Sequence, residues 1–169
     1  MGLFSFIKNA GAKVFGVGKT DAEEQAEAKD AANAKAAVKE LKTNEAGAKK
    51  LEETIKDLRL EVENLKIKID DDMATITGKA LDQSTKEKVV LVVGNTNGIA
   101  SVDDQMSVDH AEPEARFHTV IKGDTLGKIA KNYYGNAMKY PLIFDANKPM
   151  LTDPDKIYPG QVLRIPSLA

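Results

Sequence analysis

The spacing of apolar residues changes along the chain, and each period predicts an element. Leu51, Ile55, Leu58 and Val62 recur at helical spacing and place one apolar stripe on a helix. From Leu65 the period drops to two. Leu65, Ile67 and Ile69 alternate with Lys66, Lys68 and Asp70, which predicts a strand. Asp71-Asp72 turns the chain, and Met73 to Thr77 returns as a second strand stopped by Gly78. Asp82 or Ser84 caps the next helix, with Glu87 spaced for a capping box with Ser84. Val89, Val90 and Val93 form its buried face, and Gly94 ends it. Beyond the loop Asn95-Thr96-Asn97-Gly98, Ile99 to Val108 reads as a third strand, with Val102, Met106 and Val108 on one side. The order helix–strand–strand–helix–strand predicts a small sheet under two helices.

A second unit follows. Phe117 to Ile121 reads as a strand, and Lys122-Gly123 as a turn. Asp124 or Thr125 caps a helix with Leu126, Ile129 and Tyr133 inward. Tyr140 to Asn147 forms another helix carrying Leu142, Ile143 and Phe144, and Pro159-Gly160 turns into a closing strand, Val162 to Ile165. This order is β–α–α–β. The polar stretch 109–116, with Pro113, separates the units as a linker. Aromatic residues support the division: three open the chain at Phe4, Phe6 and Phe15, and none recurs until Phe117. Before the first unit, residues 1–46 form an extension. Leu3 to Ile7 is apolar and reads as a short amphipathic helix docked on a domain, or as a membrane contact. Asp21 to Glu40 is rich in Ala, Glu and Lys, reads as a solvated helix, and suits an adaptor surface. The expected partition is 1–46, 47–108, 109–116 and 117–169, and the fold class is α+β.

Composition narrows the chemistry. The 169 residues carry 24 Lys+Arg against 26 Asp+Glu, so no basic field draws the chain to nucleic acid. With no Cys, disulfides, thiolate metal sites and a Cys nucleophile are excluded. The opening segment lacks the basic n-region and long apolar run of a secretion signal, and no stretch has the length of a membrane span, which predicts a cytoplasmic protein without stable membrane insertion. Asp70-Asp71-Asp72 lacks the spaced ligands and bidentate Glu of a calcium loop and reads as a strand turn. His110 and His118 stand isolated in the sequence. Without a nucleophile–base pair, a phosphate loop or a dinucleotide fingerprint, the pattern points away from an enzyme.

Particular motifs carry a resemblance. Lys122-Gly123-Asp124-Thr125-Leu126, Ile129-Ala130, Asn147 and the run from Ile157 to Pro166 resemble the LysM domain. Ala74-Thr75-Ile76-Thr77-Gly78, the following helix and Gly98-Ile99-Ala100-Ser101-Val102-Asp103-Asp104 resemble the BON domain. Together with Met1-Gly2-Leu3-Phe4, Val93-Gly94-Asn95, Tyr134-Gly135-Asn136-Ala137 and Ala146-Asn147-Lys148-Pro149-Met150-Leu151, the chain resembles the cytoplasmic bacterial BON–LysM family of potassium-binding proteins. The likeness lapses over roughly 19–46, where the Ala/Glu/Lys-rich segment lies.

That resemblance implies a K⁺ site. K⁺ is selected by neutral backbone carbonyls that replace its hydration shell, and helix ends supply such carbonyls. The segments implicated are Ile7 to Gly11 and Gly94 to Ile99, with Ile7, Ala10, Gly94, Thr96 and Ile99 as carbonyl donors and a K⁺-linked conformational change as the consequence. By themselves the residues read as an ordinary helix C-cap with a turn, and as a hydrophobic staple. The LysM resemblance implies a different ligand, peptidoglycan or another N-acetylglucosamine polymer. Its groove would lie between Gly123, Asp124, Thr125 and Leu126 and the facing Ile157, Tyr158 and Pro159.

Overall fold

The computed structural model describes residues 2–5 and 34–168. Its elements run β1 (Gly2–Ser5), α1 (Ala34–Asp57), β2 (Val62–Asp70), β3 (Met73–Asp82), α2 (Gln83–Gly94), β4 (Ser101–Asp104), β5 (Ser107–His110), β6 (Arg116–Thr119), α3 (Leu126–Tyr134), α4 (Tyr140–Ala146) and β7 (Val162–Ile165). A short 3₁₀ turn, Ala137–Lys139, joins α3 to α4. The α+β expectation holds: a mixed sheet ordered β1-β4-β3-β2, with β5 also on β3, precedes a two-stranded sheet of β6 and β7.

The first core gathers Leu51 and Ile55 from α1, Ile67 from β2, Ala74 and Ile76 from β3, and Val89, Val90 and Val93 from α2. The helical stripe and the strand alternation read from the sequence thus meet face to face. Helix α1 runs unbroken through Asn44 and Gly47. A Cβ at Gly47 would lie 3.4 Å from Ile69 Cδ1, about van der Waals contact, so the helix rests on β2 there. Strand β3 likewise continues past Gly78. Between Glu63 and Lys66 the register slips, and Gly78 sits against this bulge with φ 143°. A Cβ there would lie 2.7 Å from Val62 Cγ1, so only glycine fits.

Three further expectations are corrected. The long strand Ile99 to Val108 is two strands, both parallel to β3. Buried Asp104 causes the break: its carboxylate accepts from Met106 N–H at 3.0 Å and pairs with Lys86 at 3.2 Å. Helix α2 is capped by Asp82, which accepts from Thr85 N–H at 2.7 Å, while Glu87 turns away from the helix start to other partners. The opening residues form a strand rather than a helix. β1 pairs antiparallel with β4, Ser5 opposite Ser101. Leu3 remains 70% exposed, whereas Phe4 packs on the core. The expectations for Phe6 to Gly18 and Asp21 to Asn33 lie outside the described residues.

In the second unit Thr125 caps α3, accepting from Lys128 N–H at 3.2 Å. Leu126, Ile129, Ile143, Leu163 and Ile165 form its core, with Tyr133 and Phe144 half-buried against it. Of the apolar residues on α4, Ile143 is turned fully inward and Leu142 is exposed. Alternation along β6 and β7 points Leu163 and Ile165 at the helices. The register partners Phe117 and Arg164 point the other way, toward the first unit. Phe117 meets Phe4 edge-on at 5.3 Å. Arg164 Nε donates to Glu87 Oε2 at 2.5 Å, and both groups are buried. Gln83 and the Ala115 N–H both donate to Glu87 Oε1 at 2.9 Å. A buried ion pair with its hydrogen bonds satisfied therefore joins the two units across 77 residues of sequence.

Candidate functional site

The loop that follows α2 sits at this junction. Asn95 ends the helix, its N–H donating to Leu91 O at 2.9 Å. Thr96 then folds back, N–H to Val93 O at 3.1 Å and Oγ1 to Val92 O at 2.8 Å. Ile99 N–H closes the bend on Thr96 O at 3.2 Å, and Gly98 between them takes φ 92°. The Ala100 and Ser101 N–H groups anchor the exit on Asp72 O at 2.7 and 3.1 Å. Loops normally lie in water because their backbone polar groups need partners. Here Asn95, Thr96, Asn97 and Ile99 are all under 7% exposed.

What buries the loop explains its shape. The Asn95 side chain reaches β7, where Nδ2 donates to Val162 O at 2.9 Å and Oδ1 accepts from Val162 N–H at 2.8 Å. On another side β1 ends opposite Ser101, two residues past Ile99. Gly94, Thr96 and Ile99 are therefore brought together in one bend, and Ile7 and Ala10 lie outside the described residues. The oxygens this bend presents are amide, carbonyl and hydroxyl oxygens at the C-terminal end of a helix, where the backbone carries partial negative charge. Such a donor set suits a large monovalent cation and lacks the carboxylates that divalent ions demand. Among the described residues no group of three or more His, Asp or Glu is placed to hold a metal ion.

Sequence reasoning did not find the Asn95 side chain or the Glu87–Arg164 pair. Their partners lie 67 and 77 residues away, and no local period signals them. His118 is also not isolated. Its Nε2 lies 2.9 Å from Asp124 Oδ2 and its Nδ1 3.4 Å from Tyr133 Oη. Burial pushes the Asp124 carboxyl up, but the His118 and Ile121 N–H partners outweigh it and hold the group below its ordinary value.

The two loops read as a glycan groove leave from adjacent points. Val120 N–H donates to Gln161 O and Gly160 N–H to Val120 O, each at 2.8 Å. Gly123, Thr125 and Pro159 are exposed, and Tyr158 is half-buried. Leu126 and Ile157 belong to the core, and Asp124 spends its carboxylate on Ile121 N–H and His118. Elsewhere, a cavity of about 690 Å³ lies between α1 and the bulged β2, floored by Ile55 and Leu60 and rimmed by the 2.6 Å Lys79–Asp109 pair. Among the described residues no helix is long and apolar enough to cross a membrane.

Comparison with known sequences finds a family profile on each unit. The BON domain profile matches residues 43–110, and the LysM domain profile matches 118–166. A protein of Escherichia coli O6:H1 described as potassium binding protein Kbp is 44% identical, over 98% of this chain and 99% of its own length. An uncharacterized protein of Deinococcus radiodurans is 51% identical over 49 residues, 19% of its length. An esterase of Mycobacterium tuberculosis is 45% identical over 53 residues, 11% of its length.

Proposed function

This chain belongs to the BON–LysM family of the potassium binding protein Kbp, and on that premise we propose that it binds K⁺ in the bend after α2. The carbonyls of Gly94, Thr96 and Ile99 supply one part of the ring, and those of Ile7 and Ala10 the other. The observation that carries the reading is the burial of an uncharged, backbone-rich loop at a helix C-terminus. Carbonyl dipoles already withdrawn from water lose little hydration when an ion enters. Chain connectivity favours the second part: Ile7 is two peptide units beyond Ser5, at most about 7 Å, and Ser5 lies opposite Ser101. Thr96 O accepts one hydrogen bond and keeps a second lone pair for an ion.

An ion shared by two segments stabilises only the state that holds both. Binding therefore shifts the chain toward that state, which suits a cytoplasmic sensor or buffer of K⁺ rather than a catalyst. Calorimetric titration of the dialysed protein with KCl and NaCl at matched ionic strength tests this. A saturable heat with KCl alone is expected, and equal weak heats with both salts overturn the reading.

Exposure of Gly123, Thr125 and Pro159 favours a second reading, binding of peptidoglycan by the LysM unit. It requires retention on insoluble peptidoglycan that falls when Thr125 or Tyr158 is altered. Failure to pellet removes it.

A further inference from the structure

We propose that the side chain of Asn95 is the positioning residue of the ion loop: it fixes carbonyls it does not itself supply by pinning the bend to strand β7. The inference rests on the K⁺ reading above and adds a residue to it.

Asn95 stands between Gly94 and Thr96, two of the proposed donors. Its main chain ends α2, so its side chain is free to act outward, and it is 3% exposed. The amide makes a two-way contact with Val162, giving to the carbonyl and taking from the N–H. This is the exchange a neighbouring strand would make. Two positions along β7, Asn147 does the same to Arg164, with Oδ1 accepting from N–H and Nδ2 donating to O, both at 2.8 Å. The outer edge of β7 is thus closed by two asparagine amides in place of a strand. One comes from within the same unit. The other comes from the ion loop, 67 residues earlier.

The difference between the two amides is the argument. Either would serve the β7 edge, but only Asn95 transmits the placement of β7 to carbonyls in the bend. A ring of backbone oxygens discriminates K⁺ from Na⁺ only if it resists contracting onto the smaller ion, or keeps its donor number. Partners behind the ligating groups supply that resistance, and removing one typically costs 10- to 100-fold in metal affinity.

The matched pair provides the test in the full-length chain. Asn95→Ala and Asn147→Ala each strip one amide from β7. Calorimetry with KCl and NaCl should show Asn95→Ala losing roughly 10- to 100-fold in K⁺ affinity with a narrowed K⁺/Na⁺ ratio, while Asn147→Ala keeps both. Equal losses in the two variants would mean that Asn95 serves stability alone, and unchanged binding in Asn95→Ala would mean that it serves nothing at the loop. Either result overturns the inference while the K⁺ reading stands. A wild-type protein that does not distinguish the salts overturns both. Should Asn95→Ala not fold, Asn95→Gln keeps the amide and displaces it. Amide hydrogen exchange in K⁺-free protein should then show protection lost at Thr96 and Ile99 in Asn95→Gln and retained in Asn147→Ala. Protection retained in Asn95→Gln rejects the proposal.

Discussion

Gly98 and Gly78 both hold positive φ, for unlike reasons. Nothing lies within 4 Å of a Cβ built on Gly98, so Gly98→Ala adds only backbone strain, about 1–2 kcal/mol. It should lower K⁺ affinity by turning the bend, with a modest shift in the urea midpoint. Gly78→Ala adds the same strain and drives a methyl into Val62 and the Glu63 carbonyl, so it should destabilise more. Asp82 contributes through its charge. The Thr85 N–H bond holds its carboxyl below the ordinary 3.8. A group with a depressed folded pKa stabilises fully above its unfolded value, and that stabilisation fades as pH falls through the folded value. Asp82→Ala should therefore cost about 1 kcal/mol near neutral pH, and the difference from wild type should shrink in acid, as read by urea unfolding across the acid range.

Among the elements, α1 shows how a single stripe anchors a helix to a sheet. Leu51 and Ile55 are fully buried, and truncating either to Ala should cost about 2–5 kcal/mol. Leu142 on α4 is 44% exposed, and Leu142→Ala should change stability by no more than about 0.5 kcal/mol. Element type was legible for α1 and β2, since the periods of Leu51–Ile55 and Leu65–Ile69 are local, although Val62, read into the helical stripe, opens β2. Element ends were less so. Gly78 looks like a stop in sequence but sits opposite a bulge in β2, and Asp104 looks like a strand residue but takes Met106 N–H and splits the strand. Both outcomes depend on what lies opposite. β1 was read as helix because its partner, β4, lies about a hundred residues on.

At the scale of the molecule, the second sheet is held between its own helices and α2 of the first unit. Glu87→Ala leaves the Arg164 guanidinium buried without its partner and should cost about 3–5 kcal/mol, whereas Glu87→Leu with Arg164→Met should recover most of it. All four tyrosines lie between Tyr133 and Tyr158, so tyrosine fluorescence follows the second unit while far-ultraviolet circular dichroism follows both. The two signals should coincide in wild-type unfolding and separate in Glu87→Ala. The candidate donors Gly94, Thr96 and Ile99 are implied by the family resemblance and lie in one loop behind one helix. The sequence by itself determined most helices and strands of both units and much of each core, because hydrophobic period acts over a few residues, but not that β1 is a strand or that Asp104 splits β4 from β5. Only the tertiary structure decided that the loop is buried, that Asn95 grips Val162 and that Glu87 meets Arg164. Those contacts join polar groups far apart in the chain, and a polar side chain gives no local sign of whether its partner is water or a distant strand.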